Sequence, residues 1–196
     1  MTKPPSRSEL SHERIVEAAA RAIRRSGYAG TGVASVMKEA GLTHGGFYAH
    51  FKSRDALLAE AVSRAGQANA GRLERKVEAL AREGVSPLRV LVESYLSDEH
   101  LEALETGCVV SALLSEMPRQ APEVREASAR RVLGLVERVR VALPPGADPA
   151  SAALITAAMV GGLQIARAIG TGAEAKAMLK SIREGLLAQY DTTTHA

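Results

Sequence analysis

The sequence predicts an all-α fold of about nine helices, in which three short helices precede a larger helical domain. The composition is the first reason, because Ala, Leu, Arg, Glu and Val dominate and aromatic residues make up only 3% of the chain, which is typical of helical proteins. The second reason is that no long Val-, Ile- or Thr-rich run alternates polar and apolar residues, so strands are not expected. The 196 residues are enough for one large or two small domains.

The first three helices are short and are bounded by start and stop residues. Apolar residues follow helical spacing from about Leu10, and Gly27 is a stop signal. Thr31 is the expected N-cap of a second helix that ends at Gly41, and Thr43 is the expected N-cap of a third. Two aromatic residues on one face of the third helix are expected to face the core: Phe47 and Phe51.

A long fourth helix connects these three helices to the rest of the chain. Ser53 is its expected N-cap, Asp55 lies in its first turn, and Gly84 and Pro87 end it. Five further helices are predicted at residues 88–104, 108–116, 122–142, 149–169 and 173–189. We therefore expect one domain over residues 1–54 and a second over residues 55–196.

Charge is distributed unevenly along the chain. Residues 1–82 contain 14 Lys and Arg and 8 Asp and Glu, a net charge of +6, whereas residues 83–196 contain 11 and 14, a net charge of −3. A basic N-terminal part favours a polyanionic partner, although random scatter of surface charge explains the difference equally well.

The compartment is predicted from cysteine use and from the absence of targeting signals. A single cysteine, Cys108, excludes an intramolecular disulfide and fits a reducing compartment. The first 13 residues lack the apolar core of a signal peptide. Residues 152–169 are rich in Ala and Gly and include Thr156 and Arg167, so we expect a buried helix and not a membrane span. The protein is expected to be cytoplasmic, with no membrane partner.

Residues 31–51, TGVASVMKEAGLTHGGFYAHF, carry the most informative pattern. A short helix, a turn at Gly41 and a second helix from Thr43 form the layout of a helix-turn-helix. In that motif the second helix enters the DNA major groove and the first crosses the backbone. An ordinary helical hairpin has the same spacing, so the spacing alone leaves both interpretations open.

The residues of the second helix favour DNA binding. Gly45 and Gly46 each cost about 1 kcal/mol relative to Ala inside a helix, and a close approach of the backbone to another molecule would compensate. The other exposed side chains are nearly all hydrogen-bond donors and none is acidic, which suits phosphate oxygens and base edges. They are Thr43, His44, Tyr48, His50 and Lys52. A packing role stays open for His50, and His12 and His195 are expected to be solvated.

A longer set of matching elements runs through residues 14–62. It consists of the Ala-rich first helix, Gly27-Tyr28, Thr31, the turn Ala40-Gly41-Leu42-Thr43, Phe47-Tyr48, His50-Phe51-Lys52 and the acidic-Ala-Leu-Leu run from Asp55. This stretch resembles the DNA-binding domain of the tetracycline-repressor (TetR) family. The remainder of the chain resembles that family only in its all-helical pattern and its length.

The resemblance implies a role for each matching position. Phosphate contacts are implied for Thr31, Thr43, Tyr48 and Lys52, and base or backbone contacts for His44, Gly45 and His50. Ser53 would cap the connector helix beside the phosphates, and Arg54 would add a phosphate contact. Two glycines depart from the family pattern, Gly32 where Ser or Thr is common and Gly46 where Thr is common, so we expect modest direct base readout centred on His44.

The second domain is expected to dimerise and to bind a small-molecule effector. Small residues follow helical spacing on the eighth helix (Ala153, Ala157, Gly161, Gly162 and Ala166), and the ninth carries an apolar stripe (Ala175, Met178, Leu179, Ile182 and Leu186). The resemblance implies that these two helices form a homodimer, which would place two recognition helices on palindromic double-stranded DNA. Burial of both helices inside one chain is the alternative.

The expected effector pocket lies among the helices that follow the connector. The candidates are Leu88, Leu91, Tyr95, Cys108, Ala112, Leu113, Glu116 and Met117, together with Val92 and Val109. Few aromatic residues are present, so a small aliphatic or irregular ligand is favoured over a flat aromatic one. Cys108 at a helix start is either a sensor of electrophiles or a structural cysteine.

An enzyme is not expected. The sequence has no phosphate-binding glycine loop after a strand, no metal-ligand spacing and no plausible nucleophile–base set, so neither a metal nor a cofactor is predicted. The function predicted is a ligand-responsive repressor. There are two alternatives to a repressor: a transcriptional activator, and a helical protein-binding adaptor that does not bind DNA.

Overall fold

A computed structural model describes residues 4–191. Within this range the chain has nine α-helices, two short 3-10 helices and no strand, so the predicted all-α fold is confirmed. The α-helices are α1 (Arg7–Ser26), α2 (Val33–Glu39), α3 (Arg54–Ala81), α4 (Pro87–Tyr95), α5 (Asp98–Glu102), α6 (Val109–Leu113), α7 (Pro122–Ala142), α8 (Ser151–Ile169) and α9 (Ala173–Tyr190). The 3-10 helices are His44–Ala49 and Met117–Arg119.

Most predicted elements are present with nearly the expected bounds, but one predicted helix is divided. Residues 88–104 form α4 and α5 in place of one helix. The hydroxyl of Ser97 accepts a hydrogen bond from the backbone N–H of His100 at 3.1 Å, so α5 starts at a cap of its own. In the same way Ser86 caps α4, accepting from Arg89 N at 3.0 Å. The apolar spacing continues across Ser97, which is why the sequence pattern did not reveal the break.

The chain divides into two compact units. The first contains the chain up to Gln67 together with Cys108–Arg131, and the second contains Ala68–Gly107 together with the chain from Val132 onward. Helices α3 and α7 each contribute residues to both units. The predicted division between residues 54 and 55 remains a prediction.

Each unit has a buried apolar core. In the first unit, α1 packs against α2 and α6, and His12 on α1 contacts Glu60 on α3. The core of this unit includes Ile15, Ile23, Phe47, Leu58 and Val124. In the second unit, α8 packs closely along α9. A Cβ atom at Gly162 would lie 2.7 Å from Cδ1 of Ile182, so a larger residue there would require the Ile182 side chain to shift. The unit's core includes Leu88, Leu101, Val139, Met159 and Leu163.

Helix α8 has an inner and an outer face. Among the described residues it is the one helix long and apolar enough to cross a membrane by length and composition, with a mean hydropathy of 1.6, and 44% of that window is buried. Buried helices of folded domains pass the same test. The outer face is unusual because Leu154, Ile165 and Ile169 are exposed on it. The predicted stripe on α9 faces inward instead, since Leu179 and Leu186 are buried within the unit.

Candidate nucleic-acid interface

The turn after α2 is built by local capping and by one arginine of α1. Gly41 has φ of +69°, its N–H donates to Lys38 O at 3.0 Å, and the N–H of Leu42 donates to Met37 O at 2.9 Å. This is a Schellman motif, which ends a helix at a left-handed residue. The guanidinium of Arg14 donates to Ala40 O at 2.5 Å and lies 2.7 Å from the position of a Cβ at residue 41. The positive φ favours glycine there, and any Cβ at this position would also require the Arg14 side chain to shift.

Two arginines of α1 hold α2 in place through Glu39. The closest contacts of its carboxylate are 3.2 Å to Arg21 Nη2 and 3.1 Å to Arg25 Nη2. Burial alone would raise the pKa of Glu39, but hydrogen bonds and charges from Arg25 and Arg21 outweigh it, and the pKa lies below its usual value of 4.5. The only carboxylate between residues 31 and 54 is thus neutralised by neighbours.

The element expected as the third α-helix is a 3-10 helix, His44–Ala49. Its hydrogen bonds join residues three apart, such as Gly46 N to Thr43 O at 3.1 Å, and Thr43 stands at the N-cap position without a side-chain cap bond. Two adjacent glycines lower helix propensity, which favours this short, tighter form. Phe47 and Phe51 are buried as predicted, and their stacked rings lie 5.7 Å apart.

The outer face of this 3-10 helix is open. Tyr48 is 75% exposed, and His44, Gly45 and Lys52 are exposed with it. Among residues 4–191, no atom lies within 4 Å of a Cβ built at Gly45, and a Cβ at Gly46 would meet only ordinary contacts, the nearest at 3.8 Å. Packing within the chain therefore gives no reason for glycine at residue 45. The result is an exposed face of hydrogen-bond donors on which the backbone at Gly45 is accessible.

Two of the predicted contact residues, Thr31 and Arg54, donate hydrogen bonds to the backbone within the chain. The hydroxyl of Thr31 donates to Gly27 O at 2.8 Å and is buried, and α2 is capped by Gly32, so the predicted N-cap role of Thr31 is wrong. Arg54 donates to Thr31 O at 3.1 Å and to Tyr28 O. The predicted phosphate contacts of Thr31 and Arg54 stay predictions, and in this conformation both side chains bond to the backbone of the loop before α2.

Ser53 caps α3 as predicted. Its hydroxyl oxygen accepts from Ala56 N at 3.0 Å, and Asp55 lies in the first turn. At that helix start the N–H groups and the dipole favour an anion. Ser53 is half-buried and next to exposed Lys52, so the two residues mark one edge of the open face.

The histidines do not all lie where the sequence predicted. His12 was expected to be solvated, but its ring stacks on Phe51 at 4.6 Å and its Nε2 lies 2.7 Å from Glu60 Oε1. The expectation is wrong because His12 lies on the face of α1 that packs on α3. His50 is half-buried with its ring 6.1 Å from that of His12. His195 lies outside the described residues.

A cluster that the sequence analysis missed anchors the loop after α1. Tyr28 is 1% exposed, and its hydroxyl lies 3.0 Å from Ser128 Oγ on α7. Its burial raises the pKa of Tyr28; the Ser128 hydrogen bond opposes this and the charge of Glu116 adds to it. Glu116 accepts a hydrogen bond from Tyr28 N at 3.0 Å, and its carboxylate would lie 2.6 Å from a Cβ at Gly27. Residues about a hundred positions apart thus meet, which no local pattern reveals.

The predicted effector residues are divided between the two units. Leu88, Leu91 and Tyr95 are buried on α4 in the second unit. The other predicted effector residues belong to the first unit: Cys108, Val109, Ala112, Leu113, Glu116 and Met117. The second unit contains a cavity of about 470 Å³ between α3, α4 and α7, and of the predicted residues Leu91 lines it. The effector role of the others stays a prediction.

The first unit thus has the arrangement of a helix-turn-helix domain that binds DNA: a three-helix core, a fixed glycine turn and an exposed second helix without acidic residues. Residues 15–61 match the model of the family described as "Bacterial regulatory proteins, tetR family". This match covers the helix-turn-helix segment, about a quarter of the chain, and it shows which family that segment is similar to. Members of this family are transcriptional regulators and not enzymes.

One protein sequence is similar to a segment of this chain, and solved structures are similar to nearly all of it. The uncharacterized HTH-type transcriptional regulator YerO of Bacillus subtilis is 41% identical over 49 residues, which span 25% of this chain and 17% of that protein. The crystal structure of a TetR-family regulator from Cytophaga hutchinsonii has a TM-score of 0.79 at 20% identity, covering 98% of this chain and 100% of that one. The reduced form of NemR from E. coli has a TM-score of 0.77 at 18% identity, covering 93% and 99%. At these identities the two structures establish a shared fold.

Proposed function

We propose that this chain is a dimeric transcriptional repressor that binds a palindromic operator through residues 31–54 and leaves it when a small molecule binds the second unit. The observation that carries the proposal is the open, acid-free face of the 3-10 helix His44–Ala49, where nothing in the chain accounts for Gly45. Operator DNA, present in the cytoplasm, has the phosphate oxygens and base edges that this face suits.

The proposed DNA contacts divide into two kinds. Thr43, Tyr48 and Lys52 bind phosphates, with Ser53 and the start of α3 beside them, because they are exposed donors at the edge of the face. His44 is the main reader of base edges, and the backbone at Gly45 lies close to the DNA. Thr31 and Arg54 hold the loop before α2 and support the face, and any phosphate contact of theirs requires a change of these internal bonds.

The test is selection of bound sequences from a random duplex pool, followed by fluorescence anisotropy on the selected site at several salt concentrations. We expect a palindromic site and affinity that falls with salt. Lys52→Ala should weaken binding on every sequence and reduce the salt slope by about 1, whereas His44→Ala should relax preference at one position of each half-site. Lys76→Ala, an exposed lysine of the second unit, is the control. Failure to select or bind any duplex would refute the proposal and favour the adaptor.

Dimerisation through α8 and α9 is supported by their outer faces. On α8, Leu154 is 63% and Ile165 is 53% exposed, and nothing lies within 4 Å of a Cβ at Gly161 between them. On α9, no described atom lies within 4 Å of a Cβ built at Gly185. Exposed apolar side chains beside small residues are what a closely packed helix partner covers. A symmetric dimer of this kind fits a palindromic site.

Sedimentation equilibrium tests the dimer. Ile165→Glu should shift the protein toward the monomer and weaken operator binding, because a carboxylate would be buried at the two-fold interface. Leu104→Glu is the matched control, since Leu104 is 54% exposed on the loop after α5. A wild-type monomer at micromolar concentration, or equal effects of the two variants, would refute dimerisation through α8.

Release by an effector requires that the ligand bind one conformation more tightly than the other. Helices α3 and α7 are suited to transmit the difference because each contributes residues to both units. A reporter gene under the selected operator separates repressor from activator. We expect expression to rise when the gene for this protein is deleted, and a fall would establish activation instead.

A further inference from the structure

We propose that the cavity of the second unit binds a small lipophilic cation. Its volume, about 470 Å³, lies within the range of drug-sized ligand sites, roughly 300–1,000 Å³. The further statement that this cation is the effector rests on the proposed function, whereas the binding itself does not.

The wall of the cavity is mainly apolar. It is formed by three helices of the same unit: the second half of α3, the start of α4 and the second half of α7. The apolar lining residues are Leu73, Val77, Pro87, Leu91, Val141 and Ala142. No lining side chain is aromatic, so binding depends on apolar area and charge and not on ring stacking.

Carboxylates lie beside this apolar wall. Glu74 and Glu78 line the cavity one helical turn apart on α3, next to the apolar pair Leu73 and Val77. Neither carboxylate has an ion pair or hydrogen bond with any residue of the described range. Like charges at this spacing repel each other across the helix face. On other faces of the chain the same spacing joins opposite charges, as in Arg89–Glu93 and Arg130–Glu126.

The balance of charge at the cavity is negative. Glu137 also lines it, but Arg140 donates to both of its carboxylate oxygens, at 2.7 Å and 2.5 Å, and these hydrogen bonds lower the pKa of Glu137. Arg138 is the one basic lining residue, and no ion pair joins it to Glu74 or Glu78 in the described chain. Two exposed carboxylates without an ion pair and one guanidinium therefore line this open cavity, and a cation with an apolar body complements both the charge and the wall.

Tetraphenylphosphonium and tetraphenylborate provide the direct test, because they are nearly equal in size and shape and opposite in charge. Isothermal titration calorimetry with the full chain, free of DNA, should give binding of the phosphonium at least about tenfold tighter than of the borate. Tighter or equal binding of the borate, or no binding of the phosphonium, would overturn the proposal.

Variants locate the binding in this cavity. The double variant Glu74→Gln/Glu78→Gln should weaken phosphonium binding at least about tenfold and remove the preference over the borate. Glu83→Gln, which removes an equal charge just beyond α3 and outside the cavity, should leave both unchanged. Equal effects of Glu83→Gln and of the double variant would mean general charge attraction and would overturn the site.

Gly134 allows the cavity to be closed without disturbing its neighbours. It lines the cavity within α7, and nothing lies within 4 Å of a Cβ built there. Gly134→Leu should abolish phosphonium binding, and it should unfold at or above the wild-type temperature. Retained binding in a folded Gly134→Leu protein would overturn the site.

The same probe separates this proposal from the proposed function. If the phosphonium binds the cavity but leaves operator affinity unchanged, the cation site stands and its effector role fails. If the chain binds no duplex DNA, the regulator proposal fails while the calorimetric result is unaffected.

Discussion

Gly45 is the residue at which stability and DNA binding are expected to change in opposite directions. It lies on the exposed face of the 3-10 helix, its φ is not in the left-handed region, and a Cβ there would meet no atom of the described residues within 4 Å. The chain alone would therefore accept alanine at this position without strain. The perturbation is Gly45→Ala, with Gly134→Ala on α7 as the matched control, since its Cβ site is equally open.

Both effects have predictable magnitudes. Replacing glycine by alanine at a compatible helical position stabilises by about 0.5–1 kcal/mol, which raises the unfolding temperature of a chain of this size by roughly 1–4 °C. A methyl group forced into a close contact between backbone and DNA costs about 1–3 kcal/mol. At about 1.4 kcal/mol per tenfold, that weakens operator binding roughly five- to 150-fold.

Thermal unfolding and fluorescence anisotropy on the selected operator measure the two effects on the same samples. Gly45→Ala should unfold at a higher temperature and bind more weakly, whereas Gly134→Ala should unfold at a higher temperature and bind as the wild type does. Wild-type affinity in Gly45→Ala would refute the close backbone approach. A lower unfolding temperature would show that an internal constraint, absent from this structure, requires glycine.

Three further predictions concern the support of this face. Tyr28→Phe removes the bond to Ser128 and should lower stability by about 1 kcal/mol; an unchanged urea midpoint would contradict this. Because the folded pKa of Glu39 is lowered from 4.5, its stabilising contribution is present above pH 4.5 and is lost as the pH falls through the folded pKa. The free energy of unfolding should therefore fall less steeply with decreasing pH in Glu39→Gln than in the wild type. Parallel curves of unfolding free energy against pH for the two proteins would refute the ion-pair argument. Gly41→Ala forces a left-handed alanine against Arg14 and should cost about 1–2 kcal/mol or more and weaken operator binding; wild-type values of both would show that the turn relaxes.

The parts of the fold that were predictable are those specified by neighbouring residues. Gly27 and Gly41 end helices by adopting positive φ, Ser53 starts one with its hydroxyl, and Pro122 begins α7 at the expected residue. The predictions were wrong where residues distant in the sequence determine the local structure. Thr31 was a plausible cap by its type, but its carbonyl accepts from the Arg54 guanidinium 23 positions later, and the helix begins after Gly32.

The same distinction applies to the sites. The exposed donors His44, Tyr48 and Lys52 follow from a short helix with aromatic residues on its other face, so the sequence revealed them. Glu116 was expected as an anchor for an effector, yet it bonds to the backbone of Tyr28, 88 positions earlier. Local periodicity predicts which face of a helix is apolar but not which distant segment covers it, so pairings of this kind became visible only in three dimensions.

The two proposed sites share their supporting helices, and this constrains any account of regulation. Helix α3 begins beside the DNA face, where Ser53 caps it, and its later turns line the cavity with Glu74 and Glu78. Helix α7 bonds to Tyr28 through Ser128 in the first unit and lines the cavity in the second. A ligand that favours one arrangement of these helices must change DNA affinity by the factor by which DNA changes ligand affinity. Tight binding of a cation is therefore not enough for regulation, because only a difference in its affinity between the two arrangements shifts the equilibrium toward release.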